Sequence, residues 1–96
     1  MEWNKISCVE RFRDIAEALG EKTDGLSDSE AADKAVQAMK RLCSEVNIPK
    51  GVHAFYIPEE AIPDMAEDAS KNNRLLKNNP RLLSKLDIEQ IYRSAY

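Results

Sequence analysis

One histidine, two cysteines and three glycines are all that the 96 residues contain of those types. A metal centre needs several His, Cys, Asp or Glu side chains at matched spacing. His53 has no cysteine or carboxylate beside it in the chain and reads as a surface residue rather than a ligand. It is also the one candidate base for a Ser or Cys nucleophile, and no spacing brings it to Cys8 or Cys43. A phosphate-cradling loop needs glycines in series, whereas Gly20, Gly25 and Gly51 are scattered and are explained by turns. Two cysteines are too few for a disulfide framework. They read as reduced thiols of a cytoplasmic protein, Cys43 packed as a small hydrophobe and Cys8 at a helix start without a neighbouring base.

Long apolar runs are missing too. No segment approaches the roughly 20 apolar residues of a membrane helix, and Met1-Glu2-Trp3-Asn4 lacks the apolar stretch of a signal peptide. Positive charge is in deficit: 14 Lys and Arg against 17 Asp and Glu give a net charge of -3. Nucleic-acid binding calls for a clustered basic surface. The stretch Arg74, Lys77, Arg81 and Lys85 lies among asparagines and reads as solvated surface instead. The carboxylate pairs Glu59/Glu60 and Glu67/Asp68 have the chemistry of acid–base sites. Both fall on helix faces expected to be exposed, and Glu59 and Glu60 also suit a helix N-terminus. No catalytic, cofactor-binding or metal-ligating residue is assigned within the chain.

What is present is a helical pattern. With 43% hydrophobic and 32% charged residues, the chain is globular and of single-domain size. Ser7-Cys8-Val9-Glu10 has the form of a capping box, followed at helical spacing by Val9, Phe12, Ile15, Ala16 and Leu19 and stopped by Gly20. A second box, Ser27-Asp28-Ser29-Glu30, opens the longest helix. Its apolar stripe is Ala31, Ala32, Ala35, Val36, Met39, Leu42, Cys43 and Val46, and it ends before Pro49. The β-branched and aromatic stretch Lys50 to Pro58 has no partner strand and is expected to be an ordered loop. A third helix is expected over Glu59 to Lys71, firm from Ile62 because Pro63 suits a first turn. The segment Asn72 to Leu83 is turn-rich, and Leu75, Leu76, Leu82 and Leu83 are expected to pin it to the core. Ser84, with Asp87 three residues on, caps a last helix whose stripe is Ile88, Ile91, Tyr92 and Ala95. The fold class is all-α: about four helices with structured loops.

Several strings, in order, resemble the C-terminal part of the iron-containing (group III) alcohol dehydrogenases, relatives of propanediol dehydrogenase and lactaldehyde reductase. They are Met1 to Asn4, Glu10 to Gly20, Ser27-Asp28 with Ala31-Ala32, Ile48-Pro49, Glu59 to Pro63, Met65 to Ala69, Asn79-Pro80-Arg81 and Asp87 to Tyr92. The resemblance covers essentially residues 1–96 and departs at Tyr56, where a glycine is common. It implies a segment of a dehydroquinate-synthase-like helical domain. The parent would be an NAD(P)-linked, metal-dependent enzyme interconverting small primary alcohols and aldehydes, its metal polarising the alcohol oxygen and its cofactor taking the hydride. Iron or zinc and the nucleotide would be held by an upstream portion of the enzyme. By the same resemblance, Leu75 lines the substrate pocket as an apolar wall. The segment would then be structural and not catalytic alone. The other reading is a stand-alone helical interaction module that binds, or self-associates, through an exposed apolar face.

Overall fold

The computed structural model describes residues 1–96 and holds six α-helices, two short 3₁₀ helices and no strand. The helices are α1 (Glu2–Lys5), α2 (Val9–Ala18), α3 (Asp28–Glu45), α4 (Ile62–Ser70), α5 (Asn73–Leu76) and α6 (Lys85–Ser94). The four longest are the four expected from sequence; α1 and α5 are single turns of four residues each. The chain divides into two compact units, Met1–Ile48 and Pro49–Tyr96.

In the first unit α2 packs on α3, with α1 along α3 as well. The seam is lined by small side chains: Ala16, Ala32 and Ala35 are fully buried, with Phe12 and Val36 beside them. Cys8 and Val9 pack against this cluster. Both helices end in the same way. Beyond α2, Gly20 takes φ 87°, its amide donates to the Glu17 carbonyl, and the Glu21 amide reaches Ala16. Beyond α3, Asn47 takes φ 61°, its amide donates to Ser44, and the Ile48 amide reaches Cys43. These are the paired bonds of a Schellman motif, which satisfy the last carbonyls of a helix. The α2–α3 connection is held by Arg13. Its Nε meets Asp28 at 2.7 Å, and its terminal nitrogens donate to the carbonyls of Thr23 and Leu26 at 3.1 and 2.5 Å. The Thr23 side chain is buried, and its hydroxyl donates to Glu17 at 2.6 Å.

Two expectations fail here for geometric reasons. The Ser7 box does not form: Cys8 is the cap residue of α2 and no side chain caps it. The Ser7 amide is instead bound to the Asn4 carbonyl, because the chain is still leaving α1. The apolar stripe of α3 is fully buried only as far as Val36, and Ala38 just beyond it is buried as well. Leu42 and Val46 are 42% and 58% exposed. The lengths explain this: α3 has 18 residues and α2 has 10, or about 27 Å against 15 Å, so α3 outruns its partner.

In the second unit α4 packs on α6 around Ile62, Ala66 and Ile88. The expected third helix starts as a 3₁₀ turn, Glu59–Ala61, and becomes α-helical at Ile62 with Pro63 in its first turn. Ser84 and Asp87 form a complete capping box on α6. The two Ser84 donors, backbone first and hydroxyl second, hold the Asp87 carboxyl below its ordinary range. The loop after Pro49 is ordered as expected and contains a 3₁₀ helix, Val52–Phe55. The segment around α5 is less well pinned than its leucines imply. Leu76 and Leu83 are half-buried, whereas Leu75 and Leu82 are exposed: four-residue α5 is one turn long and buries one side of itself only.

Ile62 is the one large side chain buried completely, so Ile62→Ala is expected to destabilise the fold by about 2–5 kcal/mol, read from urea unfolding. Ser27→Ala breaks a formed box and costs about 1 kcal/mol, while Ser7→Ala stays within about 0.5 kcal/mol. Because the folded state lowers the Asp87 pKa, its contribution is present above the unfolded aspartate value and is lost as pH falls through the carboxylate range. Acid titration followed by circular dichroism is expected to show a shallower loss of stability in Asp87→Asn than in the parent.

Candidate functional site

The titratable groups singled out above are distributed along the surface and held by ordinary ion pairs. In α4, Glu67 accepts from Lys85 at 2.5 Å and lies 3.8 Å from Lys71. The Lys85 hydrogen bond and charge, then Lys71, hold the Glu67 carboxyl below its usual range, and the same contact raises Lys85. A carboxylate kept ionised between two ammonium groups is a poor proton donor at neutral pH. Its neighbour Asp68 is exposed on the next face of the helix. Glu67 and Asp68 are therefore a structural ion pair and a solvated residue.

Glu59 meets Arg93 at 3.4 Å, and Arg93 also grips Glu89 at 2.8 Å. Glu59 and Arg93, with Glu60 and Pro63, line a shallow surface groove. It is open to water, so its charges act at high effective dielectric. Of the basic stretch, Lys85 is used by Glu67, and Arg74 and Lys77 stand exposed.

Cys8 is half-buried and its Sγ lies 3.3 Å from the Asn4 carbonyl. Its unit, Met1–Ile48, contains no histidine, so no imidazole of that unit activates the thiol. Cys43 is half-buried in α3. His53 is exposed in the Val52–Phe55 turn, with Nδ1 against the Tyr96 carbonyl oxygen. No group of three or more His, Cys, Asp or Glu side chains converges anywhere to hold a metal ion. The side chains present therefore do not fit a resident iron or zinc. Leu75 lies on α5 and is 58% exposed. No helix is long and apolar enough to cross a membrane.

Sequence reasoning missed the contacts around Tyr96. Its phenol donates to the Ile57 carbonyl at 3.1 Å, and its ring meets that of His53. These link residues about 40 apart in the chain, and no local spacing signals them.

Comparison with known proteins places the chain. The family model described as Fe-containing alcohol dehydrogenase family, C-terminal, matches residues 1–96. Long-chain-alcohol dehydrogenase 1 of Geobacillus thermodenitrificans (strain NG80-2) is 38% identical over 96 residues, which is 100% of this chain and 24% of that protein. The NAD-dependent methanol dehydrogenase of Bacillus methanolicus is 38% identical over 93 residues, covering 97% of this chain and 24% of its own length. A crystal structure of 1,3-propanediol oxidoreductase superimposes with a TM-score of 0.94 at 38% identity, over 99% of this chain and 25% of that one. The chain thus spans about a quarter of the relatives it matches. The helical architecture and the order of the sequence strings agree on one assignment: the chain belongs to the Fe-containing alcohol dehydrogenase family and corresponds to its C-terminal region.

Proposed function

We propose that residues 1–96 are the C-terminal helical segment of an iron-dependent, NAD(P)-linked alcohol dehydrogenase that interconverts small primary alcohols and aldehydes. The observation that carries this is a full-length match to the C-terminal region of the family, in a chain whose side chains form no metal-holding group. The segment's part is structural: it supplies helices that complete the helical domain and wall the cleft. The metal ligands, for iron or zinc, and the nucleotide-binding turn belong to an upstream portion of the enzyme, which is the segment's principal partner. The relatives bear names of alcohol dehydrogenases, one of them NAD-dependent, and this supports the reaction class. A cytoplasmic enzyme fits this reading and the absence of any membrane-crossing helix.

Leu75 is proposed as an apolar wall of the substrate pocket in the assembled enzyme. Its exposure in this segment supports that reading, because a residue facing a cleft has no packing partner within its own helix bundle. The exposed Leu42, Val46 and Ile48 also suit the alternative of an interaction module acting alone, and the two readings separate in trans.

Purified alone, the chain is expected to show helical circular dichroism, no stoichiometric iron or zinc and no NAD-linked alcohol oxidation. Adding the separately produced upstream portion is expected to restore turnover. Turnover with tightly bound metal in the isolated chain refutes the reading, as does failure of the two portions, co-expressed, to form an active enzyme. In the assembled enzyme, Leu75→Ala is expected to change kcat/KM for a longer alcohol by about tenfold while moving stability by less than about 0.5 kcal/mol. Equal loss for all alcohols, with unfolding, removes Leu75 from the pocket.

A further inference from the structure

The second unit contains a closure between its loop and its last helix that the dehydrogenase reading does not require. The Val52 amide donates to the Ala95 carbonyl at 2.9 Å, and the His53 amide to Tyr96 at 3.5 Å. His53 Nδ1 also contacts the Tyr96 carbonyl oxygen. The Tyr96 phenol donates to Ile57 at 3.1 Å, and the His53 and Tyr96 rings lie 5.6 Å apart, tilted by 51°. Tyr96 thereby holds both ends of a short segment, at residue 53 and at residue 57. Gly51 makes room for this: it takes φ 77°, and a Cβ there would run into the Tyr96 carbonyl and His53 Nδ1.

Between the two anchors lies a tip that does not explain its own conformation. Tyr56 is 97% exposed, yet its backbone is left-handed, at φ 60° and ψ 27°. That region disfavours a bulky L-residue, and an exposed ring gains no burial in return. Its neighbour Phe55 is exposed as well. One local bond, from the Tyr56 amide to the His53 carbonyl at 3.0 Å, closes the turn. A sparsely populated backbone state persists where surrounding structure over-determines it, and here the surrounding structure is Tyr96.

We propose that Tyr96 is a releasable clasp: its carbonyl, bound by the amide and imidazole of His53, and its phenol, bound to the Ile57 carbonyl, hold the Phe55–Tyr56 tip in its left-handed turn. Release of Tyr96 lets the tip relax. The clasp is releasable because its imidazole contact is exposed and water competes for it, which puts the opening at the low-stability end of the fold. A carbonyl oxygen only accepts, so His53 carries its ring proton on Nδ1 while the clasp is shut.

The test uses the full chain, a variant lacking Tyr96, and Tyr96→Phe. Amide hydrogen exchange and imidazole nitrogen resonances are followed by NMR, with the α4 and α6 amides reporting on the integrity of the unit. Removing Tyr96 is expected to speed exchange at His53 and Tyr56 by about tenfold, and Tyr96→Phe by roughly threefold, the scale of one or two lost hydrogen bonds. The parent is expected to show His53 protonated on Nδ1. Unchanged exchange at Tyr56 in both variants, or an Nε2-protonated neutral His53 in the parent, overturns the clasp. Should loss of Tyr96 unfold the unit, Tyr96→Phe and the parent tautomer decide the matter alone.

Discussion

Six of the ten buried hydrophobic side chains are alanines: Ala16, Ala31, Ala32, Ala35, Ala38 and Ala66. This constrains everything else. An alanine interface lets helices approach closely, but each methyl removes little apolar area from water, and the gain scales with that area at about 25 cal/mol per Å². Neither unit has a deep core. Termini, loops and helix ends must then be secured by polar contacts, and the structure does so at the starts of α3 and α6 and at the ends of α2 and α3. The Ser27 and Ser84 boxes satisfy starting amides, and the Gly20 and Asn47 turns satisfy ending carbonyls.

The polar contacts are not equal in weight. Lys40–Glu2 and Arg93–Glu59 bridge well-exposed groups, and such pairs contribute about 0–1 kcal/mol. Arg13 differs because one guanidinium ties Asp28 and two loop carbonyls together. It adds a second donor to the Thr23 carbonyl, which also accepts from the Leu26 amide, and it satisfies the Leu26 carbonyl; a buried acceptor left alone costs about 1–3 kcal/mol. The connection between α2 and α3 is held by that side chain together with the Thr23–Glu17 and Leu26–Thr23 hydrogen bonds. The same economy holds at Glu67, whose two lysine neighbours make it a fixed charge and remove it from proton chemistry.

Much of this was legible in the sequence because it is local. Ser27-Asp28-Ser29-Glu30 and Ser84 with Asp87 are read within four residues, and both boxes form. The helical class, the glycine stop at Gly20 and the break before Pro49 are of the same kind. What failed was non-local. Ser7 has the right spacing for a cap but is claimed by the turn of α1. Leu42 and Val46 have the right period but lie beyond the end of α2, and periodicity cannot tell how long a partner helix is. Family membership was legible for a different reason, since eight short strings in fixed order are specific together where none is alone. Tyr56 stood between these cases: the resemblance marked it as a departure from a common glycine without fixing the turn, and the backbone there is left-handed.

Gly51 carries a consequence for how this sequence can drift. Two separate bars stand at that position, a positive φ and a lack of space beside Tyr96. A residue that tolerates the first, such as asparagine, still meets the second. The atoms in the way at Tyr96 are its carbonyl carbon and oxygen, which every residue at that position carries, so no side-chain change there makes room. Glycine at position 51 is therefore fixed by main chain that lies 45 positions further along the sequence.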